Sequence, residues 1–154
     1  MFDSKAKLEA QTFDSIDAMI RAYADEAMLV ARKQHGISLS YLSASPAANV
    51  DALERLLEGQ AAVDLEFQSR LWGSYFGELL RRRWGGTWLL APYPGTPDSP
   101  GSTESAVPTL EIAGSRLWPT LKVHRRLTLG ASESLTTFYR MVEQRLTAVP
   151  VRPN

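Results

Sequence analysis

The chain has 154 residues, a length that suggests one domain, 1–154, with room for a real core. Hydrophobic residues at 44% and charged residues at 22% are ordinary for a globular chain and exclude wholesale disorder; the lack of cysteine excludes disulfides, iron–sulfur clusters and thiolate metal sites. The formal net charge is zero, yet residues 1–80 carry seven Lys/Arg against twelve Asp/Glu, and residues 81–154 carry ten against five. An acidic half thus precedes a basic one. The favoured reading is that acidic helices pack on a basic sheet region and partly neutralise it; the alternative is a basic binding face. Met1 to Ala10 is polar and mixed in charge, unlike a signal peptide, and no apolar run approaches the roughly 18 residues of a membrane span. A cytoplasmic protein without a membrane partner is the expectation.

Residues 1–13 are expected to be loosely ordered. The first helix follows, with Ile16, Met19, Ile20, Tyr23, Ala27, Val30 and Ala31 at three- and four-residue spacing on one stripe. Asp14 or Ser15 caps its start, Arg32 and Lys33 complement its last turn, and Gly36 provides a left-handed stop. Ile37 to Leu42 alternates with period two and is read as an extended linker rather than a strand. A second helix starts near Ser45-Pro46 or Asn49, buries Val50, Leu53, Leu56 and Leu57, and ends at Gly59.

The third helix, from about Asp64 to Trp84, carries a broad apolar face of Phe67, Leu71, Trp72, Phe76, Leu79 and Leu80. Gly73 and Gly77 lie four apart on one side. Each costs about 1 kcal/mol of helix stability relative to alanine. Two in one helix imply close approach of another backbone, for which the first helix is the expected neighbour. Arg81, Arg82 and Arg83 complement the negative end of the helix and Gly85-Gly86 terminates it.

Thr87 to Leu90 reads as a strand. Residues 92–106, rich in Pro, Gly and Ser, read as a mobile loop. Val107–Ile112 and Leu117–Val123 read as two further strands joined at Ala113-Gly114-Ser115, with Pro119 placing the second at an edge or a bulge and Leu127 and Leu129 continuing it. A final helix is expected from a cap at Ser132, burying Leu135, Phe138, Tyr139, Val142 and Leu146, before a loosely ordered tail at 150–154. The fold class is therefore α+β: N-terminal helices on a small antiparallel sheet of three to four strands, with a C-terminal helix.

The run Tyr75-Phe76-Gly77-Glu78-Leu79-Leu80-Arg81-Arg82, followed by Gly86-Thr87-Trp88, resembles a family of small uncharacterised bacterial proteins. In these a Tyr-x-Gly-Glu helix runs into a Gly-x-Trp strand. A Pro–basic segment (here Pro119, Lys122, Val123, Arg125 and Arg126) and a terminal helix with a Phe-Tyr pair (here Phe138-Tyr139) extend the likeness over roughly residues 14–146. The resemblance implies the fold and a bacterial origin; it brings no activity with it.

No catalytic, metal or cofactor signature stands out. Glu78 is the acidic residue of most interest. It is read first as an i,i+4 ion-pair partner of Arg82, and second as a buried carboxylate at the helix–sheet junction, anchored by Arg125 or Arg126. His35 fits a helix C-terminus and His124 the outer face of a strand; their spacing does not suggest a metal site. There is no Gly-x-Ser-x-Gly elbow and no phosphate-binding glycine loop. Arg81, Arg82, Arg83, Lys122, Arg125 and Arg126 offer charge for a nucleic acid beside Trp84, Trp88 and Trp118, but an isoelectric point near 6.7 and the lack of a recognition motif disfavour that partner. Two functions follow as expectations. The first is a non-enzymatic bacterial cytoplasmic interaction or accessory protein, an immunity-type or regulatory binder, with another protein or a second copy as partner. The alternative is a small-molecule-binding protein or enzyme whose pocket at the helix–sheet junction is lined by Tyr75, Glu78, Trp88 and Arg125, with Arg82 beside it.

Overall fold

A computed structural model of the protein describes residues 2–42, 45–92 and 106–147. Among them are six helices and one three-stranded antiparallel sheet, an α+β fold ending in a C-terminal helix. The chain runs α1 (Phe2–Glu9), α2 (Ile16–His35), α3 (Pro46–Glu58), α4 (Leu65–Trp84), β1 (Thr87–Pro92), β2 (Ala106–Ile112), β3 (Ser115–Leu117), α5 (Pro119–Leu129), a 3-10 turn (Gly130–Glu133) and α6 (Leu135–Thr147). The proline-rich loop expected at 92–106 falls, apart from its two end residues in β1 and β2, outside the described residues, as does the tail from 148 onward.

Local chemistry explains most element ends. Ser15 caps α2 by accepting the Ala18 N–H at 3.1 Å, and Gly36 closes it at φ +64° with its N–H on the Ala31 carbonyl. Ser45 caps α3, with Pro46 in its first turn. The turn into α4 is different, because Asp64 is left-handed (φ +46°) and its side chain makes no cap bond. Gln68 instead ties the preceding turn to the helix: its Nε2 donates to the carbonyls of Ala61 (3.0 Å) and Val63 (2.6 Å). Ala113 and Gly114 both have positive φ, as a two-residue hairpin turn needs to match strand twist.

Helix α4 is the axis of the molecule. It packs against α2 on one side and α5 on another, and from Phe67 to Leu80 every residue except Arg70 is buried. Fully burying side chains such as Leu71, Phe76 and Leu80 contributes about 1.5–3 kcal/mol each, as an upper bound. The sheet runs β1-β2-β3, with Trp88 opposite Leu110 and Leu110 opposite Leu117.

Several expectations need correction. Residues 2–9 are not loose: α1 buries Leu8, its Ser4 hydroxyl donates to Glu26 Oε1 at 2.8 Å, and Lys7 donates to Glu26 Oε2 at 3.0 Å. The strand read from Leu117 to Val123, with its continuation to Leu129, is a three-residue β3 followed by α5. Pro119 opens that helix rather than bulging a strand, since its missing N–H has no partner to lose in a first turn. The alternation Leu117, Pro119, Leu121, Val123 masked a helical face made of Pro119, Thr120, Val123 and Arg126, two of whose four members are polar. Finally, Gly73 and Gly77 do not receive the first long helix, α2. A Cβ on Gly73 would lie 2.5 Å from Thr120 Cα, and one on Gly77 would enter the Trp88 ring and touch Pro119. The glycines admit α5 and β1.

The C-terminal elements are tied back to α3. Glu54 accepts the Leu135 N–H at the start of α6 (3.0 Å) and Arg126 Nε of α5 (2.9 Å) on its two oxygens, while Asp51 accepts the Thr136 hydroxyl at 2.9 Å. The cap of α6 is Ser134 rather than Ser132, with Thr137 N–H on its hydroxyl at 3.2 Å.

Candidate functional site

The residues singled out from sequence divide between a closed cluster and an open one. In the closed cluster, Glu78 is 3% exposed and both its oxygens are engaged. Arg81 Nε donates to Oε2 at 2.5 Å and Arg81 Nη2 to Oε1 at 3.2 Å; the Trp88 indole N–H donates to Oε2 at 3.0 Å. Burial alone pushes the Glu78 carboxyl up, but hydrogen bonds from Arg81 and Trp88 and the charges of Arg81 and Arg82 outweigh it and hold the group below the ordinary glutamate range. The i,i+4 pair expected with Arg82 is therefore an i,i+3 pair with Arg81. Tyr75 is buried and binds the linker: its hydroxyl donates to the Ser40 carbonyl at 2.9 Å and accepts the Ser40 N–H at 3.1 Å.

The Tyr-x-Gly-Glu and Gly-x-Trp motifs are thus one packing unit. Tyr75 pins the linker, Gly77 clears space for the Trp88 ring, and Glu78 takes that ring's N–H. Gly86 sits at φ +136° against Ile112 and the Glu111 carbonyl, where a Cβ would lie 2.8 Å from Ile112 Cγ1.

Arg125 does not join them. It is exposed on α5, where its charge helps hold Glu133 below the ordinary carboxylate range, after the larger effect of Lys122. Arg126 is buried against Glu54. Of the lining expected from Tyr75, Glu78, Trp88 and Arg125, the first three are buried, while Arg125 is exposed on a helix and not on a strand of the sheet.

The open cluster centres on Arg82. Its guanidinium lies over the Tyr41 ring, 3.9 Å from the centroid, and Tyr41 stacks on Tyr75 at 5.5 Å. Burial, and to a lesser degree the Glu78 charge, raises the Tyr41 phenol above its ordinary range. These groups border a cleft of about 170 Å³ between α3 and α4, lined by Tyr41, Pro46, Asn49, Leu79, Arg82 and Arg83. Among the described residues Arg82 has no carboxylate partner, whereas Arg83 pairs with Glu143 at 3.0 Å. Asn49 is 6% exposed, yet its side chain makes no hydrogen bond among the described residues. Asn49 and Tyr41 escaped the sequence reading. The available signal was that Asn49, Leu53 and Leu56 share a stripe, so that a polar residue stands where an apolar one would be buried.

A larger cleft of about 550 Å³ lies between α4, α5 and the start of β2, with Glu66, Arg70 and Thr120 in its lining. In it His124 Nδ1 is 3.3 Å from the Ser69 hydroxyl. His124 therefore faces α4 rather than the outside of a strand. His35, at the end of α2, meets the edge of Trp72 at 6.1 Å, and burial lowers its pKa.

Arg81, Arg83, Lys122 and Arg126 are each paired with a glutamate, and Trp84 packs against Tyr139 at 5.3 Å. Among the described residues no group of three or more His, Asp or Glu is placed to hold a metal ion, and no helix is long and apolar enough to cross a membrane. No family model, curated protein or solved structure matches the chain.

Proposed function

We propose that the protein is a non-enzymatic interaction or accessory protein of the bacterial cytoplasm that engages a protein partner through the face formed by Tyr41 and Arg82. One observation supports this above others: Arg82 lies over an aromatic ring, at the rim of a cleft, with no carboxylate salt-bridge partner among the described residues. Arginine stacked in this way keeps its edge donors available, and arginine and tyrosine are enriched where interfaces concentrate their binding energy. A structural arginine at the same point would be expected to carry an internal counter-ion, as Arg81 does.

Affinity capture from a native lysate with the full chain and with Arg82→Glu as bait tests this reading. The expected result is a partner retained by the parent chain and lost, or weakened at least tenfold, by the variant. Equal retention by both, with unchanged circular dichroism, would remove the Tyr41–Arg82 face from the interaction.

A further inference from the structure

We infer that the α3–α4 cleft is a carboxylate-binding subsite that receives an acidic side chain, aspartate or glutamate, of the protein partner. The inference rests on the reading above and adds the chemistry of what enters. Three features of the cleft converge on it. Asn49 is more than nine-tenths buried, has no hydrogen-bond partner among the described residues, and lines the cleft. Neither polar atom of its carboxamide is sealed from solvent, so the N–H donors are open to an acceptor that enters the cleft. Arg82 supplies a cation that lies over the Tyr41 ring, 3.9 Å from its centroid, with donors suited to a planar acceptor. The first turn of α3, which brings Pro46 and Asn49 to the cleft, contains no acidic residue, so the positive end of its dipole is uncompensated within the helix.

Charge selects among anions. Arg83 is neutralised by Glu143, and the Glu78 carboxylate is occupied by Arg81 and Trp88. Arg82 is then the one lining cation without a salt-bridge partner among the described residues, which matches a monoanion better than a phosphate dianion. Size agrees. A volume of about 170 Å³ is the room of about five or six water molecules, enough for the end of one acidic side chain but not for a nucleotide.

The test is a titration of the ¹⁵N-labelled full chain, followed by the Asn49 side-chain NH₂ and Arg82 Nε–H resonances. The probes are a blocked tripeptide with a central glutamate, its glutamine counterpart, sodium acetate and inorganic phosphate. The expected result is a saturable shift of both resonances with the glutamate peptide, at least tenfold weaker with the glutamine peptide and with acetate. Asn49→Leu and Arg82→Gln, each checked for an otherwise unchanged amide spectrum, should each weaken the response at least tenfold. No shift at tens of millimolar peptide, or a response in which phosphate equals or exceeds the glutamate peptide, would overturn the assignment. Acetate acting as strongly as the peptide would overturn its protein source. Capture that depends on Arg82 without any peptide response would leave the interaction reading standing and remove the carboxylate; a peptide response without a captured partner would do the reverse.

Discussion

Arg81 and Arg82 are sequence neighbours on one helix, and the two regions they enter behave as opposites. Arg81 joins Glu78 and Trp88 in a network whose carboxylate is 3% exposed and has both oxygens engaged. Arg82, about 100° further round the helix, lies over Tyr41 beside a cleft in which the Asn49 side chain has no partner among the described residues. The closed region holds the fold together, since removing one member strands a buried polar partner. The open region leaves polar groups to be completed from outside. A motif rich in charge and aromatics can therefore be mostly architecture.

The largest effect expected to break this contrast is at the glycines. Gly77→Ala gains about 1 kcal/mol of helix propensity but drives a Cβ into the Trp88 ring, so a net loss of about 3 kcal/mol or more is expected by urea denaturation. Gly59→Ala, at φ −89° with nothing nearer than the Leu56 carbonyl at 3.9 Å, should change stability by less than about 1 kcal/mol. A mild Gly77→Ala would mean that β1 does not rest on α4 as described.

Next comes the closed network. Glu78→Gln removes the charge to which Arg81 and Trp88 are bonded and should cost about 2 kcal/mol, measured in the same way. A variant as stable as the parent would place Glu78 in solvent.

The pH dependence sharpens the same point. Glu78 and Glu26 are both held below the ordinary glutamate range: burial raises each, and hydrogen bonds with nearby cationic charge outweigh it, from Arg81 and Trp88 for the one and from Ser4 and Lys7 for the other. A carboxyl whose folded pKa lies below its unfolded value of about 4.3 stabilises fully above that value, and the contribution is lost as pH falls through the folded pKa. The urea midpoint should therefore decline as pH drops below about 4.5, and Glu78→Gln should flatten that decline. An equal slope in both proteins would detach Glu78 from acid unfolding. The smallest effect belongs to the open region: Arg82→Gln should alter stability by less than about 1 kcal/mol, because an exposed cation on an aromatic ring contributes no more than that.

Sequence by itself determined α2, α3 and α4, because the apolar stripe and the stop residue agree in each and a serine caps the first two: Ser15 and Gly36 bound α2, Ser45 and Gly59 bound α3, and Gly85 closes α4. These signals act within a turn or two of chain and need no tertiary partner to be read. The hairpin at Ala113-Gly114 was legible for the same reason, since its geometry is local. Tertiary structure decided the segment after Trp118. Its buried face includes Thr120 and Arg126, polar groups that become tolerable there only because Gly73 admits the Thr120 backbone and Glu54 meets Arg126. Tertiary structure alone also decided which arginine is consumed and which is left open, because a partner ten residues away (Trp88) and a linker forty residues back (Tyr41) settle it, and sequence spacing does not encode where those chains return.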